Sequence, residues 1–231
     1  MGQGRGDEAI VALDPMKKKN GLRVLYELHA ALISDVAEKP AAAASHFQSA
    51  ADIGNRATLR VVQGFGRHYE SRGAFGKARS LYDDYVRENP GSVVLSQAMD
   101  RLEKGVKPSL LAGNAVEGVS EALFNIASTM TRQSSAQLAL IYGRLSIYLR
   151  PNFAFAQMLV AGILESMDRY EEAIKVYSDI VPSSPLNWSA RLRVAGNLEA
   201  LNRDDSAIEL LQNLIAEDSS RPDPLVRLGD I

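Results

Sequence analysis

Two stretches decide the fold: YEEAIKVYSDIVPSSP at positions 170–185 and DDSAIELLQNLIAEDSS at positions 204–220. Laid over one another, they bring Glu172-Ala173-Ile174 onto Ser206-Ala207-Ile208, a step of 34 along the chain. The same step continues backward: it separates Ala139 from Ala173 and Pro151 from Pro185. Each proline is expected to close a helical segment, because proline cannot extend one. A period of this length, with small residues in register, marks a two-helix unit that cannot bury its apolar face alone and stacks on copies of itself.

Working outward, the fullest copy is Leu59 to Pro90. Its first helix (A) carries Phe65-Gly66 and Tyr69, its turn is Ser71-Arg72-Gly73-Ala74-Phe75, and its second helix (B) carries Ala78, Tyr82 and Tyr85. Gly66 and Ala78 are expected to face each other where the helices approach. Later copies run through Ala127, Met130 and Ala139; Val160-Ala161, Leu164, Ala173 and Tyr177; and Val194-Ala195, Leu198, Ala207 and Leu211. The first copy is weaker: Ala31-Leu32, the turn Glu38-Lys39-Pro40, and Ala44, one full step before Ala78, with Arg56 standing in the place that Pro90 fills.

This pattern resembles the tetratricopeptide repeat (TPR) family over nearly the whole chain, at about five repeats. From Asn20 onward the chain also looks like the middle of large alphaproteobacterial members, on Ala122-Leu123-Phe124-Asn125-Ile126-Ala127, Tyr148-Leu149-Arg150-Pro151 and Trp188-Ser189-Ala190-Arg191-Leu192-Arg193. The resemblance implies an all-α, right-handed superhelical solenoid of antiparallel helix pairs. It also implies a concave groove lined by the A helices, and a habit of binding protein segments rather than a catalytic residue.

The register breaks near 91–118, because the interval from Pro90 to Pro151 is nearly two steps long yet not a multiple of the step. The expected organisation is therefore an N-terminal block at 1–104 with an extra helix, an irregular connection at 105–118, and a C-terminal block at 119–231. The extra helix falls near Ser92–Lys104, with Val94, Leu95, Ala98, Met99 and Leu102 on one face and Gly105 as its stop. Asn114, with Glu117 three places on, reads as a helix cap. Between them Leu110 and Leu111 are expected to be buried, against the neighbouring helices, of which the preceding one offers Met99 and Leu102, or along the inner surface near Phe124. Both ends read as cut inside repeats: Asp7–Ile10 as a lone B helix, and Pro222–Ile231 as an A helix. Leu225 and Leu228 of the latter would leave an apolar face open to self-association.

Composition excludes much. Of 231 residues 46% are hydrophobic, enough for a continuous core. A net charge of −2 provides no basic field for nucleic acid. The absence of cysteine rules out disulfides and thiolate chemistry. No apolar run approaches the roughly 18 residues of a membrane span, and the N-terminus has no apolar leader. A soluble protein of bacterial cytoplasm or periplasm, without cofactor, metal or catalytic residue, is the expectation. Gly64-Phe65-Gly66 sits mid-helix without a preceding strand, and Gly2, Gly4 and Gly6 likewise lack the context of a phosphate loop. His29, His46 and His68 show no metal spacing. Glu171-Glu172 and Asp204-Asp205 open B helices, where acids complement the helix dipole.

The candidate binding surface is the groove. In the Gly66 repeat it carries Arg60, Gln63, Arg67 and Glu70, which are polar. In the last three full repeats it carries Phe124 and Ser128, then Phe155, Met158 and Gly162, then Leu192 and Gly196. Phe124, Met158 and Leu192 are equivalent places, one 34-position step apart each time. They either pack between neighbouring helices or hold an apolar peptide or helix, with the glycines leaving room for it. The lysine and asparagine with which some family members grip a C-terminal carboxylate are absent: those places hold His29, Ile33, Gln63, Arg67, Phe124 and Met158. Three roles follow: a scaffold binding a protein segment, an architectural or regulatory segment whose groove is filled intramolecularly, or the arm of an enzyme elsewhere in a longer chain.

Overall fold

The structure, a computed structural model, describes residues 4–19, 21–55, 57–90, 92–132 and 135–231. Gly2, Asn20 and Arg56, named above, lie outside them. The described residues contain helices and no strand, and the chain divides into two compact units, Met1–Ala122 and Leu123–Ile231.

The first unit opens with two short helices, α1 (Gly6–Ala12) and α2 (Asp14–Lys17), where one B helix was expected. Two helix pairs follow: α3 (Arg23–Val36) with α4 (Pro40–Asp52), and α5 (Leu59–Ser71) with α6 (Phe75–Glu88). The extra helix α7 (Ser96–Glu103) buries Ala98 and Leu102, with Leu95 just ahead of it, against Val62, Ala78 and Tyr82. Gly105, at φ 61°, ends it, with the Val106 amide donating to the Arg101 carbonyl at 3.0 Å. An irregular stretch leads to α8 (Ala115–Arg132), capped as its spacing predicts: the Glu117 amide donates to Asn114 Oδ1 at 2.9 Å, and Glu117 Oε2 accepts from the Gly113 amide at 2.8 Å.

Helix α8 runs across the boundary into the second unit. There it pairs with α9 (Ala136–Leu149), and α10 (Ala154–Glu165) pairs with α11 (Tyr170–Ser178), α12 (Asn187–Ala200) with α13 (Asp204–Glu217), ahead of the single helix α14 (Asp223–Asp230). Pro151 stands just past the end of α9, after Arg150. Helix α11 ends at Ser178, well before Pro185, so that proline closes no helix. The Asn187 side chain donates to the Ile180 carbonyl across this turn at 2.7 Å.

One device recurs in all five pairs. The amide of Lys39, Ala74, Ser135, Arg169 and Arg203 donates to the carbonyl five places earlier, on Ser34, Tyr69, Met130, Leu164 and Leu198, at 2.9–3.1 Å. This is a Schellman closure, which needs a left-handed residue just before the donor. Glu38, Asp168 and Asn202 adopt φ of 56–57° to supply it, and of the described turns Gly73 alone does so without a side chain. The alanines behind these turns are fully buried: Ala78, Ala139, Ala173 and Ala207, and in the first pair Ala43 rather than Ala44. The first step is therefore one place longer than the repeat, the addition being taken up between Ala43 and Tyr69, where Gly54 at φ 80° turns the chain. Gly66 admits the ring of Tyr82, whose atoms a Cβ there would meet first, so its close partner is the tyrosine and not Ala78. On α14, Leu228 packs against Ala195, Leu211 and Leu214 while Leu225 is 52% exposed, so half of the expected bare face is covered.

Candidate functional site

In the first unit the residues proposed for the groove are occupied by the chain itself. The Arg60 guanidinium, on α5, is held by both carboxylate oxygens of Glu121: Nε donates to Oε1 at 2.7 Å, and Nη2 donates to Oε2. Its Nη1 donates to Gln63 Oε1 at 2.7 Å. Glu121 is fully buried on α8. Arg67 Nη1 donates to the Ser109 carbonyl at 3.2 Å. Burial, aided by the charges of Arg101 and Arg60, brings the Arg67 guanidinium down to about 10.

Leu111 is buried with Leu28, Phe47, Val61 and Phe65. Its Cδ2 lies 3.4 Å from where a Cβ on Gly64 would stand. Leu111 is thus buried against neighbouring helices, as expected, but against α3, α4 and α5 and beside Phe47 at Gly64; Leu110 stays half-buried. Around this strap the unit buries further charge. His68 Nδ1 meets Asp35 at 2.7 Å, with Arg72 on the same carboxylate at 3.0 Å. Glu70 accepts from Tyr82 at 2.6 Å and from Arg101 at 3.1 Å. Burial, opposed by Glu121, holds the His29 imidazole below its ordinary range. Among the described residues no three His, Asp or Glu side chains gather as a metal site.

In the second unit the equivalent surface is apolar and only half-covered. Phe124, Ser128, Phe155, Met158 and Leu192 were expected on it; Phe124, Ser128, Met158 and Leu192 are half-buried, and Phe155 lies against Phe124 and Phe153. The Phe124 ring lies 5.2 Å from Phe153 and 6.5 Å from Phe155. Sequence reasoning missed Phe153, which stands just ahead of α10 and has no aromatic counterpart one repeat later. Met158 packs at the edge of the cluster around Val160, Leu164 and Tyr177, and Leu192 against Ala195 and Leu211. Gly162 is open, with Tyr177 Oη 3.9 Å from the place of a Cβ. Gly196 is not, since the Arg227 guanidinium of α14 fills the space beside it. Of the paired acids, Glu172 is held below the usual carboxylate range by Arg169 and then Arg144.

Three successive A helices thus repeat one side-chain pattern at a constant step, above five turns closed in the same way. That plan resembles tetratricopeptide repeats. No protein-family model and no curated protein matches this chain. Among solved structures it is similar to the MamA protein (13% identity, 85% of this chain and 92% of that one, TM-score 0.42). It is similar to YrrB, described as a TPR protein with an unusual peptide-binding site (12%, 95% and 97%, TM-score 0.43). A further similar structure is the TPR2AB-domain:pHSP90 complex of yeast Sti1 (19%, 96% and 88%, TM-score 0.41).

Proposed function

We propose that this chain is a non-catalytic interaction scaffold, that the A-helix face of Leu123–Ile231 receives a peptide or helix of a partner protein, and that the face of Met1–Ala122 is filled intramolecularly. One contrast carries the reading. Arg60, Gln63 and Arg67 are engaged by Glu121 or Ser109 of the same chain or by one another. Phe124, Met158 and Leu192 keep part of their apolar surface in water. Repeated partly exposed apolar side chains one repeat apart suit an amphipathic segment laid along the A helices. Among the described residues no helix is long and apolar enough to cross a membrane.

The test is a random peptide library displayed on phage and selected on this chain, with the selected peptides titrated against Met158→Glu and Leu192→Glu. The reading expects each substitution to weaken binding at least about ten-fold, since a desolvated contact is replaced by a charge. Peptides that bind wild type and both variants alike reject it.

A further inference from the structure

A cavity of about 380 Å³ lies between α10, α12 and α14, lined in part by Gly162, Glu165, Tyr170, Arg193, Asn197 and Arg227. We propose that it binds an uncharged amide group of an extended peptide, whose carbonyl oxygen accepts hydrogen bonds from the Asn197 side chain and from Arg227 Nε. This deepens the preceding reading and rests on it, since the cavity lies on the same A helices.

Asn197 is only 5% exposed, and its Nδ2 donates to nothing among the described residues. The same holds for Nε of Arg227. Buried donors are satisfied in the great majority of proteins, so two orphans lining one cavity call for an acceptor. The acceptor is neutral by charge balance. Arg193 is already paired with Glu165, and Arg227 with Glu199 at 2.9 Å. A carboxylate brought into this cavity would add a charge that neither cation is free to neutralise, while an amide adds none. Glu165, which accepts from Tyr177 and Arg193, also stands on the wall as an acceptor for an amide N–H. The wall can open: the Arg227 side chain is 40% exposed and lies over Gly196, where only glycine leaves space for it.

The first unit shows the same chemistry in place. There an irregular segment lies against an A helix, its Ser109 carbonyl accepts from an arginine, and its Leu111 packs beside Phe47 at a glycine. The second unit presents an arginine whose Nε–H has no partner among the described residues and an open glycine, Gly162, on the wall of one cavity.

The probe is acetyl-glycyl-glycine N-methylamide, titrated into the whole chain while the side-chain resonances of Asn197 Nδ2 and Arg227 Nε are followed by NMR. The comparison probe is acetyl-glycyl-glycine with its free carboxylate. The proposal expects saturable shifts of both resonances at about millimolar neutral probe, as befits so small a ligand. Raising the salt to about 0.5 M should change that affinity less than about two-fold, because no charge is screened. Asn197→Ala should abolish the saturable response, and Arg227→Lys, which keeps the cation but loses Nε–H, should weaken it at least about three-fold, both with unchanged helical circular dichroism. Equal or tighter binding of the carboxylate probe, or no saturable shift with either, overturns the proposal. If the neutral probe binds but Met158→Glu does not weaken the selected peptides, the cavity stands and the groove reading falls. The converse pattern rejects the cavity alone.

Discussion

In Met1–Ala122 the buried polar side chains include Glu27, Asp35, Arg60, His68, Glu70 and Glu121, each tied to a described partner. In Leu123–Ile231 those described as buried are Asn125, Ser146, Gln157 and Asn197, and none is charged. The repeats share one backbone plan, so the difference lies in what the A helices are asked to meet. A buried ion pair is unforgiving: correct partners are needed at fixed geometry, and losing one leaves a stranded charge. That suits a surface with one permanent occupant. An apolar, half-covered surface tolerates varied shapes, which suits an occupant that comes and goes.

The sharpest way to break this comparison is Glu121→Ala. It strands the Arg60 guanidinium, and urea unfolding should show a loss of about 3–5 kcal/mol, whereas Arg60→Met with Glu121→Leu should recover much of it. A loss under about 1 kcal/mol would place the pair in the class of weak surface bridges and remove the contrast. In the second unit Ala173→Leu should overpack the fully buried contact between α10 and α11, lowering stability by about 1–3 kcal/mol. An unchanged melting temperature would deny that the alanine sets the helix separation.

A smaller effect separates the units by pH. The folded His29 imidazole titrates below its ordinary 6.5, so in that window the unfolded chain binds the additional proton. Stability should therefore rise with pH through the window and be lost as pH falls from 6.5 through the folded value. His29→Leu should flatten that slope in denaturant melts taken across it, and an identical slope in the variant counts against buried His29 as its source. The smallest expected change is Glu38→Gly at a left-handed turn residue, a gain of about 0.5–1 kcal/mol in melting experiments. A loss there would mean that the glutamate side chain contributes more than the strain it causes.

The repeat plan was legible because fully buried small residues tolerate so few substitutes: Ala139, Ala173 and Ala207 announce the step directly. The caps at Gly105 and Asn114 were legible because each depends on a few neighbouring residues alone. The first repeat slipped by one place because Ala41–Ala44 is an unbroken alanine run, which leaves the register free until packing selects Ala43. The apolar positions Phe124, Met158 and Leu192 could be read from the repeat step, whereas the partners of Arg60 and Arg67 could not. Arg60 and Glu121 are 61 residues apart, and no local pattern joins two charges across a register break. A signal did exist at Gly64-Phe65-Gly66: a Cβ at Gly64 would meet Phe47 and then Leu111, and one at Gly66 would meet Tyr82. The Asn197 and Arg227 cavity left no trace in the periodicity, because it depends on where α14 places one long side chain.

The closures that join each helix pair also set how the chain answers to mechanical pull. Each spans a single tight turn, so under tension a pair can open by itself, and a solenoid of such pairs yields in a series of modest extensions. The Arg60–Glu121 contact fastens two points 61 residues apart. That contact bridges the loop between them, whose residues span about 200 Å only when fully extended. The first half thus adds a long-range tie to the turn closures that both halves share.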